Sequence, residues 1–117
     1  MGHLTTHVLD ISAGLPAGGV RIELHERTAA GLRLLTTTAT GPDGRLPVPL
    51  LSGAAFKAGR YLLVFQTAAY FRARGVQLPE PAFLESASIE IGIAAPDQHY
   101  HVPLLIAPWS YSVYRGG

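Results

Sequence analysis

Apolar and polar residues alternate with period two along most of this chain, the spacing of strands with one buried face. Leu4, Thr6 and Val8 oppose Thr5, His7 and Leu9, a short strand with a mixed second face. Val20, Ile22 and Leu24 oppose Arg21, Glu23, His25 and Arg27, which predicts a strand wet on one side. Leu32 to Thr40, rich in Leu and Thr, reads as its hairpin partner. Tyr61, Leu63 and Phe65 alternate with Leu62 and Val64 as in a central strand, and Ile89, Ile91 and Ile93 oppose Ser88, Glu90 and Gly92. Near the end, Tyr100, Val102, Leu104 and Ile106 share one face while His99, His101, Pro103 and Leu105 share the other. Tyr111 to Tyr114 then follows across Pro108-Trp109-Ser110 as the second half of a hairpin.

The stretches between these runs carry turn residues. Ser12 to Gly19 is a loop by its Gly and Pro content. Gly41-Pro42-Asp43-Gly44 is a tight turn, because Pro presets one dihedral and Asp-Gly tolerates positive φ. Arg45 comes directly after it, so its backbone is held more firmly than on a loose loop, which suits binding a small anion. Leu46 to Leu50 holds two prolines and is expected only as an edge strand. Thr67 reads as the N-cap of a short helix through Arg72, with Arg74 near its end and Gly75 just past it. Gln77 to Ser86 is a proline-broken connection. About eight short strands and one brief helix make an all-β, two-sheet β-sandwich. The length of 117 residues predicts a single domain over 1–117.

Composition changes this picture in one respect. Charged residues are 15% of the chain against a usual share of about 25%, while hydrophobic residues reach 48%. A small monomer of that kind exposes much apolar surface, so other copies of the chain are expected to cover part of it. The net charge of +1 gives no reason to expect nucleic acid or an anionic membrane as partner. There is no cysteine, which excludes disulfides and thiolate chemistry. No apolar run is long enough to span a bilayer and no export signal is visible, so a cytoplasmic setting is expected. Met1-Gly2-His3-Leu4-Thr5-Thr6 fits a loose myristoylation pattern, but its later residues are better explained as a first strand.

Five histidines are present. His25, among charges on a wet strand face, reads as a surface residue, and His3, at the chain start, as frayed. His7 and His101 occupy strand positions opposite the aliphatic face, where a lone histidine is more often structural than catalytic. His99-x-His101 has the spacing of two metal ligands on one strand face; a third is lacking nearby unless His7 supplies it, so no metal site is read. Gly-Pro-Asp-Gly lacks the lysine and helix start of a phosphate loop.

Four motifs occur in order: Leu4-Thr5-Thr6-His7-Val8-Leu9-Asp10, Asp43-Gly44-Arg45, His99-Tyr100-His101-Val102-Pro103-Leu104-Leu105, and Tyr111-Ser112-Val113-Tyr114-Arg115-Gly116. Together, from Leu4 to Gly117, they resemble the 5-hydroxyisourate hydrolases, the transthyretin-related enzymes of urate breakdown. The resemblance implies a transthyretin fold and cofactor-free hydrolysis of 5-hydroxyisourate to 2-oxo-4-hydroxy-4-carboxy-5-ureidoimidazoline. It also implies a homotetramer, a dimer of dimers, with active sites along the channel where dimers meet. His7 and His101 match the family's two catalytic histidines and Arg45 its motif arginine. Ser112, Tyr114 and Arg115 are implied to shape the substrate pocket and the subunit contact. Which histidine acts as base stays open. This chain ends in Tyr114-Arg115-Gly116-Gly117 where the family usually has Tyr-Arg-Gly-Ser, and Val113 replaces a more usual threonine. The competing reading is a non-catalytic, transthyretin-like protein that binds a small ligand in the same channel; a bare structural sandwich module is a third.

Overall fold

A computed structural model describes residues 2–117. Its strands are β1 (Leu4–Asp10), β2 (Leu15–Pro16), β3 (Arg21–Thr28), β4 (Gly31–Ala39), β5 (Gly59–Phe65), β6 (Ala87–Ile93), β7 (Tyr100–Ala107) and β8 (Ser110–Val113), with one α-helix, α1 (Thr67–Ala73). They form two four-stranded sheets, ordered β2-β1-β7-β8 and β4-β3-β5-β6. The all-β sandwich expected from the alternation is the architecture observed.

The core lies between the sheets and is built from the predicted apolar faces. Leu4 and Val8 of β1 and Val102, Leu104 and Ile106 of β7 meet Ile22 and Leu24 of β3, Tyr61, Leu63 and Phe65 of β5, and Ile93 of β6, all of them buried. Burying each large aliphatic side chain of this kind contributes about 1.5–3 kcal/mol. Tyr70 and Phe71 dock α1 onto the same core.

One pairing decides where the polar residues go. β1 and β7 run parallel and adjacent, with Thr5 opposite His101 and His7 opposite Pro103. Paired residues point to the same side of a sheet, so Thr5, His7, His101 and Pro103 gather on the outer face of the first sheet. β8 pairs antiparallel with β7 through Ala107 and Ser110, the expected hairpin.

Three local expectations are corrected. Leu46 to Leu50 forms no strand; the segment touches β1 only at isolated bridges, His7 with Arg45 and Leu4 with Leu51. Pro47 and Pro49 have no N–H to place in a ladder. Six chain steps from Arg45 to Leu51 therefore face three from Leu4 to His7, and the surplus bows outward. In the helix, Gln66 takes the N-cap position and Thr67, buried, opens the first turn. Gly75 ends it in the left-handed conformation, φ +87°, as its position predicts. His3, expected to fray, is tied down: its carbonyl accepts from the Tyr100 N–H at 2.9 Å and its ring lies 5.1 Å from that of His99.

Candidate active site

The bowed segment forms one wall of an open cavity of about 380 Å³ on the outer face of the first sheet. That volume lies at the small end of the ~300–1,000 Å³ common for small-molecule sites. Leu46, Pro47, Val48 and Pro49 make the apolar wall; Thr5, Arg45, His99 and His101 supply the polar groups, and Gly117 closes one side. An apolar enclosure with a few convergent donors is what a flat, polar-edged ligand needs.

Each polar group is held by local structure. Thr5 Oγ1 and His101 Nδ1 form a hydrogen bond of 2.8 Å across the β1–β7 pair. His7 sits one bridge from Arg45, and its Nε2–H donates to the Asp43 carbonyl at 2.9 Å. A carbonyl oxygen only accepts, so this bond fixes the proton on Nε2 and leaves Nδ1 as the basic nitrogen of neutral His7. The Asp43 carboxylate in turn accepts from the Arg45 N–H at 3.0 Å, an Asx turn that sets the direction in which the chain leaves Gly44.

Gly44 is needed at that turn. Its φ of +78° is left-handed, and a Cβ there would stand 2.3 Å from the Val8 carbonyl oxygen and 3.2 Å from His7 Cδ2. Because the obstructing atom is backbone, Gly44→Ala is expected to destabilise the fold by about 2 kcal/mol or more and to displace both His7 and Arg45. Thermal unfolding, with the melting point lowered by several degrees, checks the first effect, and loss of activity in protein that remains folded checks the second.

The electrostatics of the site act on His101. Burial pushes the His101 imidazole below its usual range, and the positive charge of Arg45 and then the neighbouring His7 push it further the same way. His101 is therefore neutral around neutral pH, in the protonation state a base requires. His7, Arg45 and His101 are thus brought together as the sequence motifs imply, although His7 stands beside the cavity wall and does not line it. Among the described residues no group of three or more metal-ligating side chains occurs.

A sequence profile described as HIUase/Transthyretin family matches residues 4–116. The chain belongs to that family. A 5-hydroxyisourate hydrolase of Pseudomonas aeruginosa is 56% identical over 116 residues, which is 99% of this chain and 92% of that one. A crystal structure of (S)-allantoin synthase superposes with a TM-score of 0.93 at 42% identity; the match covers 99% of this chain and 44% of that longer one. Sea bream transthyretin in complex with thyroxine superposes with a TM-score of 0.86 at 31% identity, covering 97% of this chain and 93% of that one. The sandwich is therefore the transthyretin fold.

The family's terminal motif divides between two places in this chain. Ser112 pairs with Leu105, on the His101 face but four residues along β7, roughly 13 Å from His101 at ~3.3 Å per residue. Tyr114 and Arg115 border a separate recess between the edges of β6 and β8, and Arg115 turns toward Tyr100. Gly116 and Gly117 reach the histidine itself: the Gly116 N–H donates to the His101 carbonyl at 2.8 Å and Gly117 lines its cavity.

Two residues of consequence carry little signal in the sequence. Thr5 is one; alternation places it on the polar face, but only the β1–β7 register puts its hydroxyl on His101. The other is Asp10, at the end of β1, which is 2% exposed. Its carboxylate accepts from the Ser12 N–H and hydroxyl, the Ala13 N–H and the Tyr70 hydroxyl, with Arg74 at 3.7 Å. This network ties β1 to α1 and holds the strand that carries Thr5 and His7.

Proposed function

We propose that this protein is a 5-hydroxyisourate hydrolase, opening that ring to 2-oxo-4-hydroxy-4-carboxy-5-ureidoimidazoline. The family, and a relative named for this activity that is 56% identical over nearly the whole length, support the reaction. The observation that carries the reading on this chain's own residues is His101, hydrogen-bonded to Thr5 and lining a cavity of suitable size together with Arg45; burial and the Arg45 charge favour its neutral form.

In this reading the His101 Nδ1–H donates to Thr5 Oγ1, so Nε2 is the basic nitrogen. It takes a proton from water; the water oxygen bonds to the ring carbonyl carbon, the adjacent C–N bond breaks, and the proton passes to the departing nitrogen. Arg45 faces the oxygen on which charge develops, its planar donor fork suiting an oxyanion. His7, held by Asp43, orients the ring or returns the proton. Gly117 stands where the family usually has serine, so backbone there does what positioning is needed. No cofactor takes part in this scheme.

Assembly as a homotetramer belongs to the same proposal. β6 and β8 lie at the edges of their sheets, and Trp109, Tyr111, Val113 and Tyr114 leave large apolar groups exposed along β8 and its turn. A second copy would cover both edges and side chains.

The competing reading, a binding protein akin to the transthyretins, shares the fold but gives two imidazoles and an arginine no task. Following the ultraviolet absorbance of freshly generated 5-hydroxyisourate separates the two. The hydrolase reading expects decay that accelerates in proportion to protein added. Decay at the uncatalysed rate with ligand bound would favour the carrier.

A further inference from the structure

Arg115 belongs to the motif that the resemblance ties to substrate, yet its side chain leaves the cavity. Its guanidinium lies 4.0 Å from the centre of the Tyr100 ring, and Nη2 donates to the His99 carbonyl at 2.9 Å and to Gln98 Oε1 at 3.1 Å. Tyr100 is a firm platform, because its hydroxyl accepts the N–H groups of Ala94 and Ala95, each at 3.1 Å. Arg115 therefore grips the three residues preceding His101, from the side of β7 opposite the imidazole.

The two glycines after Arg115 land on the imidazole side. The Gly116 N–H bonds the His101 carbonyl, and a Cβ on Gly116 would come 2.9 Å from His101 Cδ2 and 3.2 Å from Pro103 Cγ. Bare backbone thus covers one edge of the ring, and Gly117 then walls the cavity. The chain crosses from one side of β7 to the other within two residues, and the side chain that fixes the crossing point is Arg115.

We infer that Arg115 is a positioning residue: by clamping Gln98, His99 and Tyr100 it seats Gly116 and Gly117 against His101, and it does not touch the substrate. As a role in catalysis this rests on the hydrolase reading above. The clamp itself does not, since its effect on His101 exists without any substrate.

The test follows His101 in the substrate-free protein by NMR titration of its ring proton, beside steady-state kinetics. Arg45 and His7 are the charged neighbours that act on His101, and His99 is the other titratable side chain lining its cavity; all three stay in place in every variant. Removing Gly116 and Gly117 uncovers the ring, so the His101 titration is expected to move up toward the ordinary imidazole value. Arg115→Ala is expected to move it the same way, and Arg115→Ala combined with the deletion to add nothing further. Arg115→Lys, which keeps a cation over Tyr100 but not the paired hydrogen bonds, falls between. On the hydrolase reading, Arg115→Ala also lowers kcat/KM ~10- to 100-fold, the scale of loss from a misplaced group. Gln98→Ala, a change at an exposed loop that leaves the core alone, gives a smaller shift of the same sign and keeps the test alive if Arg115→Ala fails to fold. An unmoved His101 titration in both Arg115→Ala and Gln98→Ala, beside a clear shift in the deletion, would overturn the inference. So would loss of activity in Arg115→Ala with His101 unperturbed, because Arg115 would then act on substrate directly. A shift in His101 without measurable turnover in the wild type would uphold the clamp and sink the hydrolase reading alone.

Discussion

Replacing His101 with asparagine is expected to lower kcat/KM on 5-hydroxyisourate by ~10²–10⁴-fold, the usual worth of a positioned general base, while the protein stays folded. Asparagine is smaller than histidine and keeps an amide able to meet Thr5 Oγ1, so the β1–β7 pairing is not disturbed. His101 is partly exposed and contributes little to the core. The variant retains Arg45 and the cavity wall, and is therefore expected to keep most of its affinity for substrate. Unchanged circular dichroism and melting temperature, with kcat reduced far more than KM is changed, is the expected pattern. Activity within threefold of wild type would remove His101 from the chemistry and return the base to His7.

The largest effect on stability is expected from Asp10→Ala. The substitution leaves the buried Tyr70 hydroxyl and the N–H groups of Ser12 and Ala13 without their acceptor. With unsatisfied buried groups costing ~1–3 kcal/mol each and some relaxation allowed, the loss is about 3 kcal/mol. For a domain of this size that lowers the melting temperature by roughly 10 °C. Burial by itself raises the Asp10 pKa, but the hydrogen bonds from the Ser12 and Tyr70 hydroxyls and the Ala13 and Ser12 N–H groups outweigh it, and the net shift is downward. The same bond holds the Tyr70 phenol up at about 12, burial being the larger cause. A carboxylate with a lowered folded pKa contributes stability above its unfolded value of about 3.9 and loses it as pH falls through the folded value. Urea unfolding should therefore show the wild type well ahead of Asp10→Ala at pH 7 and the gap narrowing only below about pH 4. A gap that is equal at pH 3 and pH 7 would mean that the carboxylate charge is not what matters.

The contrast between these two residues shows what the amino-acid pattern exposes. His101 is legible because it stands out on its face: an imidazole repeated opposite Tyr100, Val102, Leu104 and Ile106 has no reason to be there in a plain strand. Asp10 does not stand out, although it holds the buried parity of Leu4, Thr6 and Val8. An acid at the end of a strand before a Ser-Ala loop looks like a solvated loop residue, and its burial comes from α1, which arrives 60 residues later in the chain. Its other local sign, an Asx-type acceptor two residues before Ser12, is common in turns of no consequence.

The strands are legible for the same reason as His101, and the sheet order is not. Period-two alternation states which face is buried but not which strand lies beside which, and the Thr5–His101 contact spans 96 positions. After Arg45, two prolines within four residues rule out any ladder and not merely a central one, and the resulting bow is what makes the cavity wall. For Arg115 the information is present in the parity. Val113 pairs with Leu104 and so lies on that face of the sheet, although its side chain stays exposed; Arg115, two residues on, therefore falls on the Tyr100 side and away from the histidines.

The pH dependence of kcat/KM shows whether neutral His101 is the base. A base must be neutral to act, so activity is expected to rise with pH through the titration of His101 and level off above it. Because burial, Arg45 and His7 all lower that titration, the rise is expected below the ordinary imidazole value of about 6.5 and to coincide with the His101 titration seen by NMR. A profile that climbs only above pH 6.5, or one whose rise does not coincide with the His101 titration, would rule out His101 as the base.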